Sequence, residues 1–212
     1  MIHKIAQKTA DIFCIQNVAD KEKKEIYVYG IELLISSLIG IVLVLGLSIG
    51  LGKVWSGVVF LAVFILVRQY TGGYHADTYV RCNMAFLLTY LLSVGIWIFC
   101  RQRDVKVAVW LILLGAYIAM AAIAPVENKN KPLTGEEMQR YKWKSILIYS
   151  AFIMAFLVMD ISGVFYGVCL YIKIILIMIT VLMFFRKIEA DFTVIAKTIK
   201  KIPAASQIYF QQ

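Results

Sequence analysis

Apolar residues along this chain gather into six long runs, near 30–51, 53–71, 83–100, 107–125, 144–160 and 163–185. Several approach or exceed the roughly 18 residues that mark a membrane span. The polar intervals between them are short, which leaves no room for a separate soluble domain. The pattern therefore predicts an all-α, polytopic membrane protein: one domain over 1–212 with a transmembrane core at 30–185. Gly46, Gly50 and Gly52 loosen the end of the first run, and Pro125 closes the fourth. Asp160, Ser162 and Gly163 read as the turn between the last two. The second run is short enough to admit a tilted or partly re-entrant segment.

Both flanks are amphipathic. Ile2, Ile5, Ile12 and Phe13 share one helical face, with Lys4, Lys8 and Asp11 elsewhere, so residues 1–29 are expected to include an interfacial helix. The polar linker Asp20 to Glu25 follows. In the tail at 186–212, Ile188, Phe192, Ile195, Ile199 and Ile202 step by fours and threes, with Lys197, Lys200 and Lys201 off that stripe. This predicts a basic helix on the inner leaflet. The first 30 residues lack a continuous apolar core and do not read as a cleavable signal peptide.

Composition strengthens the membrane reading: 61% of residues are hydrophobic and 17% charged, against about half and about a quarter in soluble domains. The net charge of +9 is distributed beside apolar runs, so anionic lipid is the expected partner rather than nucleic acid. Orientation follows from the same residues. With the N-terminus cytoplasmic, 17 of the 22 lysines and arginines lie on the cytoplasmic side and four outside, with Lys173 left within a span. The positive-inside rule thus predicts cytoplasmic termini and a cytoplasmic 68–82 segment. Lys173 and Glu32 are ionisable groups at membrane depth, which call for a partner or a wet cavity. They could pair with each other, although their depths differ.

Cys14, Cys82, Cys100 and Cys169 form no CxxC pair, which argues against a disulfide framework or a cysteine metal site. With only His3 and His75 present, a zinc site of several histidines is excluded by count, and no cofactor is expected. The chemistry that remains is thiol chemistry. The segment from Arg68 to Cys82 is polar where the second run ends and the third begins. A cysteine protease needs a nucleophilic sulfur and a histidine that passes a proton to the leaving amine. His75 lies seven residues before Cys82, which adjoins Arg81 at the expected start of a helix. A neighbouring cation and a helix N-terminus are features that reactive cysteines use. Residues seven apart on a straight helix are about 10 Å apart along its axis, so the backbone must bend near Gly72–Ala76 for the pair to meet. Spacing alone leaves open a polar loop with an incidental histidine and a core cysteine. Asp77 is close enough in sequence to orient His75 only through a particular turn, and otherwise reads as a solvated aspartate.

The tract Gly72-Gly73-Tyr74-His75-Ala76, with Arg68 before it and Cys82 opening an apolar run after it, resembles the accessory gene regulator B (AgrB) family. The stretch Ala124-Pro125-Val126-Glu127-Asn128-Lys129-Asn130-Lys131-Pro132-Leu133 resembles that family's proline- and lysine-containing loop, and the likeness covers roughly residues 1–190. The resemblance implies a membrane endopeptidase of Gram-positive peptide quorum sensing that cuts an AgrD-type propeptide. Cys82 would be the nucleophile and His75 the general base and then acid. Arg68, Gly73, Lys129 and Lys131 would contact the substrate, the lysines through its acidic tail. Ordinary helix-end charge explains Arg68 and the lysines equally well. The product would be a thiolactone or lactone ring. The family likeness also admits a homodimer, for which Gly46 and Gly50 have the small-residue spacing. The rival class is a small transporter or channel, with Glu32 and Lys173 marking its pathway.

Overall fold

Seven α-helices and one short 3₁₀ turn account for the residues described in the computed structural model: 2–16, 20–72, 78–126, 133–163 and 165–206, with the side chains of 190 and 193–206 excluded. The helices are α1 (Ile2–Ile15), α2 (Lys24–Gly50), α3 (Val54–Thr71), α4 (Tyr79–Arg101), α5 (Lys106–Ile123), α6 (Gly135–Ser162) and α7 (Tyr166–Ser206). Six of them, α2 to α7, are long and apolar enough to cross a membrane. The second span is thus an unbroken helix of 18 residues. The basic tail continues the last span as one helix.

The chain divides into two compact units, Met1–Leu61 with Ala76–Leu92, and Ala62–His75 with Ser93–Gln212. In the first unit, the buried face of α2 is a stripe at every fourth position: Val28, Glu32, Ser36, Gly40, Val44 and Ser48. Small residues let helix backbones approach, and in lipid this close packing replaces the hydrophobic effect as the force between helices. A Cβ on Gly57 of α3 would lie 2.6 Å from the Ser48 side chain, and one on Gly40 would lie 3.2 Å from both Asn83 and Phe86 of α4. The turn joining α2 to α3 closes as a Schellman motif, with Lys53 N–H donating to Ser48 C=O and Gly52 N–H to Ile49 C=O. Gly52 has φ 64°, a conformation that suits glycine. Tyr90 of α4, fully buried, lies 3.0 Å from Ser56 Oγ of α3.

The first helix packs on α2 through its small residues. Its buried residues are Ala6, Ala10 and Cys14, which meet Val28 with Tyr27 and Ile31 of α2. Ile5, Ile12 and Phe13 point outward. The small face meets protein and the large apolar face is left for lipid, consistent with an interfacial helix.

In the second unit, α7 supplies much of the core through Ile175, Leu176, Ile179 and Met183. Tyr149 of α6, also fully buried, donates to the Leu176 carbonyl at 3.1 Å and lies 3.2 Å from Thr180 Oγ1. Trp97 of α4 donates its indole N–H to the Gly167 carbonyl at 2.8 Å. Helix α6 begins at Gly135, nine residues before the apolar run, because Thr134 and Glu137 form a capping box. Such reciprocal bonds satisfy amide groups that would otherwise lack partners. It ends at Gly163, φ 70°, so Asp160 lies inside α6 and is not part of the turn.

Candidate active site

The described ends of the two sequence tracts that resemble the AgrB family, at Gly72 and Val126, meet in the backbone. Helix α3 ends where Gly72 N–H donates to the Arg68 carbonyl at 3.1 Å, and Val126 N–H then donates to the Thr71 carbonyl at 3.0 Å. Gly72 and Val126 form an isolated parallel bridge. Gly72 has φ 69°, and a Cβ there would overlap the Val126 carbonyl oxygen. Glycine is therefore needed twice over, for conformation and for space. Thr71, Ala124 and Pro125 are buried around this junction.

Around the junction, Arg68 holds its guanidinium 5.1 Å from the Phe64 ring, and Lys144 lies 5.1 Å from the ring of Tyr70. Tyr70 also packs on Tyr141 of α6. Arg68 is thus half-buried on its own helix as well as lying beside the tract. His75, Gly73, Asp77, Lys129 and Lys131 lie outside the described residues.

Cys82 belongs to the other unit. Thr78 is not helical and α4 starts at Tyr79; the bend expected at Gly72–Ala76 falls, apart from Gly72, outside the described residues. Thr78 caps α4 by accepting the Arg81 N–H at 3.3 Å. The Cys82 N–H makes the first helical bond, to the Thr78 carbonyl at 3.0 Å. Its sulfur is a free, half-buried thiol in the first turn. One turn earlier, Tyr79 donates its hydroxyl to Glu32 Oε2 at 2.5 Å, and His3 Nδ1 meets Glu32 Oε1 at 2.5 Å.

Glu32 is therefore occupied by His3 and Tyr79, not by Lys173. Lys173, 3% exposed, pairs instead with Asp160 Oδ2 at 2.5 Å, and Trp110 Nε1 donates to the same oxygen at 2.8 Å. Each of the two ionisable residues thus finds its partners within its own unit. Sequence reasoning missed Tyr79 and Asp160 as partners. Tyr79 carried one available signal: it lies one helical turn before Cys82. Among the described residues, no group of three or more His, Cys, Asp or Glu side chains is arranged to hold a metal.

Known proteins resemble this chain over most of its length. A family model described as accessory gene regulator B matches residues 2–188. The AgrB-like protein 2 of Clostridium perfringens strain 13 is 29% identical over 162 residues, covering 72% of this chain and 74% of that protein. An AgrB-like protein of C. perfringens strain SM101 is 29% identical over 143 residues, 63% of this chain and 65% of its own length. One from Listeria monocytogenes EGD-e is 24% identical over 143 residues, covering 64% and 67%. No solved structure matches the chain.

Proposed function

We propose that this chain, which belongs to the accessory gene regulator B family, is a membrane-embedded cysteine endopeptidase that matures a cyclic signalling peptide. Membership itself makes it a multi-pass membrane protein of quorum-sensing peptide processing, with an AgrD-like propeptide as partner. The finer chemistry is our reading, and one observation carries it. The chain's half-buried thiol at Cys82 stands in the first turn of α4, directly after the glycine–histidine tract that carries the family likeness.

In this reading the Cys82 sulfur attacks the scissile carbonyl, and the C–N bond breaks as His75 gives its proton to the departing amine. The N-terminal portion of the propeptide is left as a thioester on Cys82. An internal thiol or hydroxyl of the same peptide then attacks that thioester, His75 takes its proton, and the Cys82 thiolate leaves. Acyl activation passes into the ring, whereas attack by water would release a linear acid. Exclusion of water from the thioester is therefore part of the mechanism. The junction at Gly72 and Val126 supports a joint role for the two segments that leave it. One contains Gly73 and His75 and the other Lys129 and Lys131, which we assign to the acidic tail of the propeptide, with Arg68 at the base. The charge distribution supports a cytoplasmic site.

Replacing Cys82 by Ala is expected to abolish propeptide cleavage in co-expressing cells while the protein still inserts into the membrane. Undiminished cleavage by that variant would end the protease reading.

A further inference from the structure

A carboxylate within an apolar span is costly unless each oxygen finds a partner. Glu32, 8% exposed on α2, has one for each: His3 of α1 on Oε1 and Tyr79 of α4 on Oε2. The two partners differ in what they hold. His3 has a side chain 63% exposed, and α1 is seated independently by Ala6 and Ala10 against Val28. An ion pair from Lys24 to Asp11 holds it as well. Tyr79 is the first residue of α4, and Thr78 immediately before it is not helical.

Two contacts hold the start of α4 against α2. One is the Tyr79–Glu32 hydrogen bond. The other is the close approach of Asn83 and Phe86 to Gly40, where an added Cβ would be 3.2 Å from each. Tyr79, Asn83 and Phe86 stand at i, i+4 and i+7 and so share one face. Cys82 lies on the turn between the two fixings, at the edge of that face. Its amide makes the first helical bond of α4, which is where helices fray.

We propose that Glu32 and Tyr79 are positioning residues for the Cys82 nucleophile, holding the first turn of α4 against α2 through their hydrogen bond. The inference rests on the protease reading for its purpose, but the anchoring can be measured without it.

The test uses the full-length protein in lipid nanodiscs. Hydrogen exchange is read at the Cys82 and Asn83 amides, and iodoacetamide alkylation of Cys82 is followed by mass spectrometry. Propeptide processing is followed in co-expressing cells. Tyr79→Phe and Glu32→Leu are expected to accelerate exchange at those amides about tenfold, as loss of a hydrogen bond to a charged group implies. They are expected to raise alkylation and to lower processing. Glu32→Gln, whose amide oxygen still accepts from Tyr79, should restore all three to within about twofold of wild type. His3→Ala should leave the start of α4 unchanged. Tyr79→Phe removes a single oxygen, so it decides the matter even if Glu32→Leu fails to fold. Wild-type exchange and processing in Tyr79→Phe would overturn the proposal. So would equal loosening of α4 by His3→Ala, because Glu32 would then serve only to seat α1. If Cys82→Ala still processed propeptide, the protease reading would fail while the exchange data continued to decide the anchoring.

Discussion

Glu32 and Lys173 present the same pattern in sequence, a lone ionisable residue inside an apolar run, yet the two regions around them are built differently. Lys173 is enclosed within its own unit. Asp160 meets it at 2.5 Å, the Trp110 ring is 4.3 Å from Nζ and the Phe156 ring 5.5 Å. The cluster joins α5, α6 and α7 and ends there, leaving Asp160 Oδ1 buried without a hydrogen bond. Glu32 instead reaches out from α2 to two helix starts, one of which bears Cys82. A buried ion pair closed on itself is a fastening, and its value is measured in stability. In the proposed reading, a carboxylate that holds the first turn of the helix bearing Cys82 has its value in reactivity. Neither residue is left as an open charge along a transport path, which weakens the rival membrane-carrier reading.

The comparison can be broken most forcefully at Lys173. Lys173→Met leaves Asp160 buried and unpaired, so it should destabilise the protein by about 3–5 kcal/mol, measured as a lower unfolding temperature in detergent. The double variant Lys173→Met with Asp160→Leu should recover most of that loss and process propeptide normally. Loss of processing in a double variant of wild-type stability would give the cluster a functional role and erase the contrast.

Gly72→Ala comes next. It forces a side chain into the left-handed region and against the Val126 carbonyl, at a local cost of about 1–3 kcal/mol. Because the strain falls on the junction of the two tracts, processing should drop further than the unfolding temperature does. Equal processing at wild-type rates would detach the junction from the site.

At Glu32 the expected effect on stability is smaller. Tyr79→Phe should cost about 1–3 kcal/mol at most, with its main consequence in the exchange of the Cys82 amide. The smallest effect belongs to Gly46→Ala and Gly50→Ala, since an added Cβ at either meets nothing within 4 Å. Unfolding temperature should stay the same or rise slightly, as removing a helix-interior glycine such as Gly46 gains about 0.5–1 kcal/mol. Loss of self-association in cross-linking would instead assign the pair to a dimer contact.

The span architecture was legible because membrane helices announce themselves by length and hydropathy. The six apolar runs coincide with α2 to α7. Finer features were hidden by rules that change in lipid. Ile5, Ile12 and Phe13 make the more apolar face of α1, yet Ala6, Ala10 and Cys14 are the buried ones, since small residues pack against protein and large ones face the acyl chains. Asp160 looked like a turn residue because it precedes Ser162 and Gly163. The helix terminates at the glycine, however, which leaves Asp160 within reach of Lys173. The early start of α6 was written in Thr134-Gly135-Glu136-Glu137 as a capping box, a polar signal that an apolar-run reading passes over. Tyr79 could be placed near Cys82 from sequence, but its partner lies 47 residues earlier. No local pattern names such a pairing.

Acyl transfer through Cys82 can be read from the mass of the product. Cells expressing this protein with an AgrD-type propeptide should release a peptide lighter by one water than the corresponding linear acid, and Cys82→Ala cells should release none. A linear acid from the wild type, or the ring from the Cys82→Ala variant, would contradict the account.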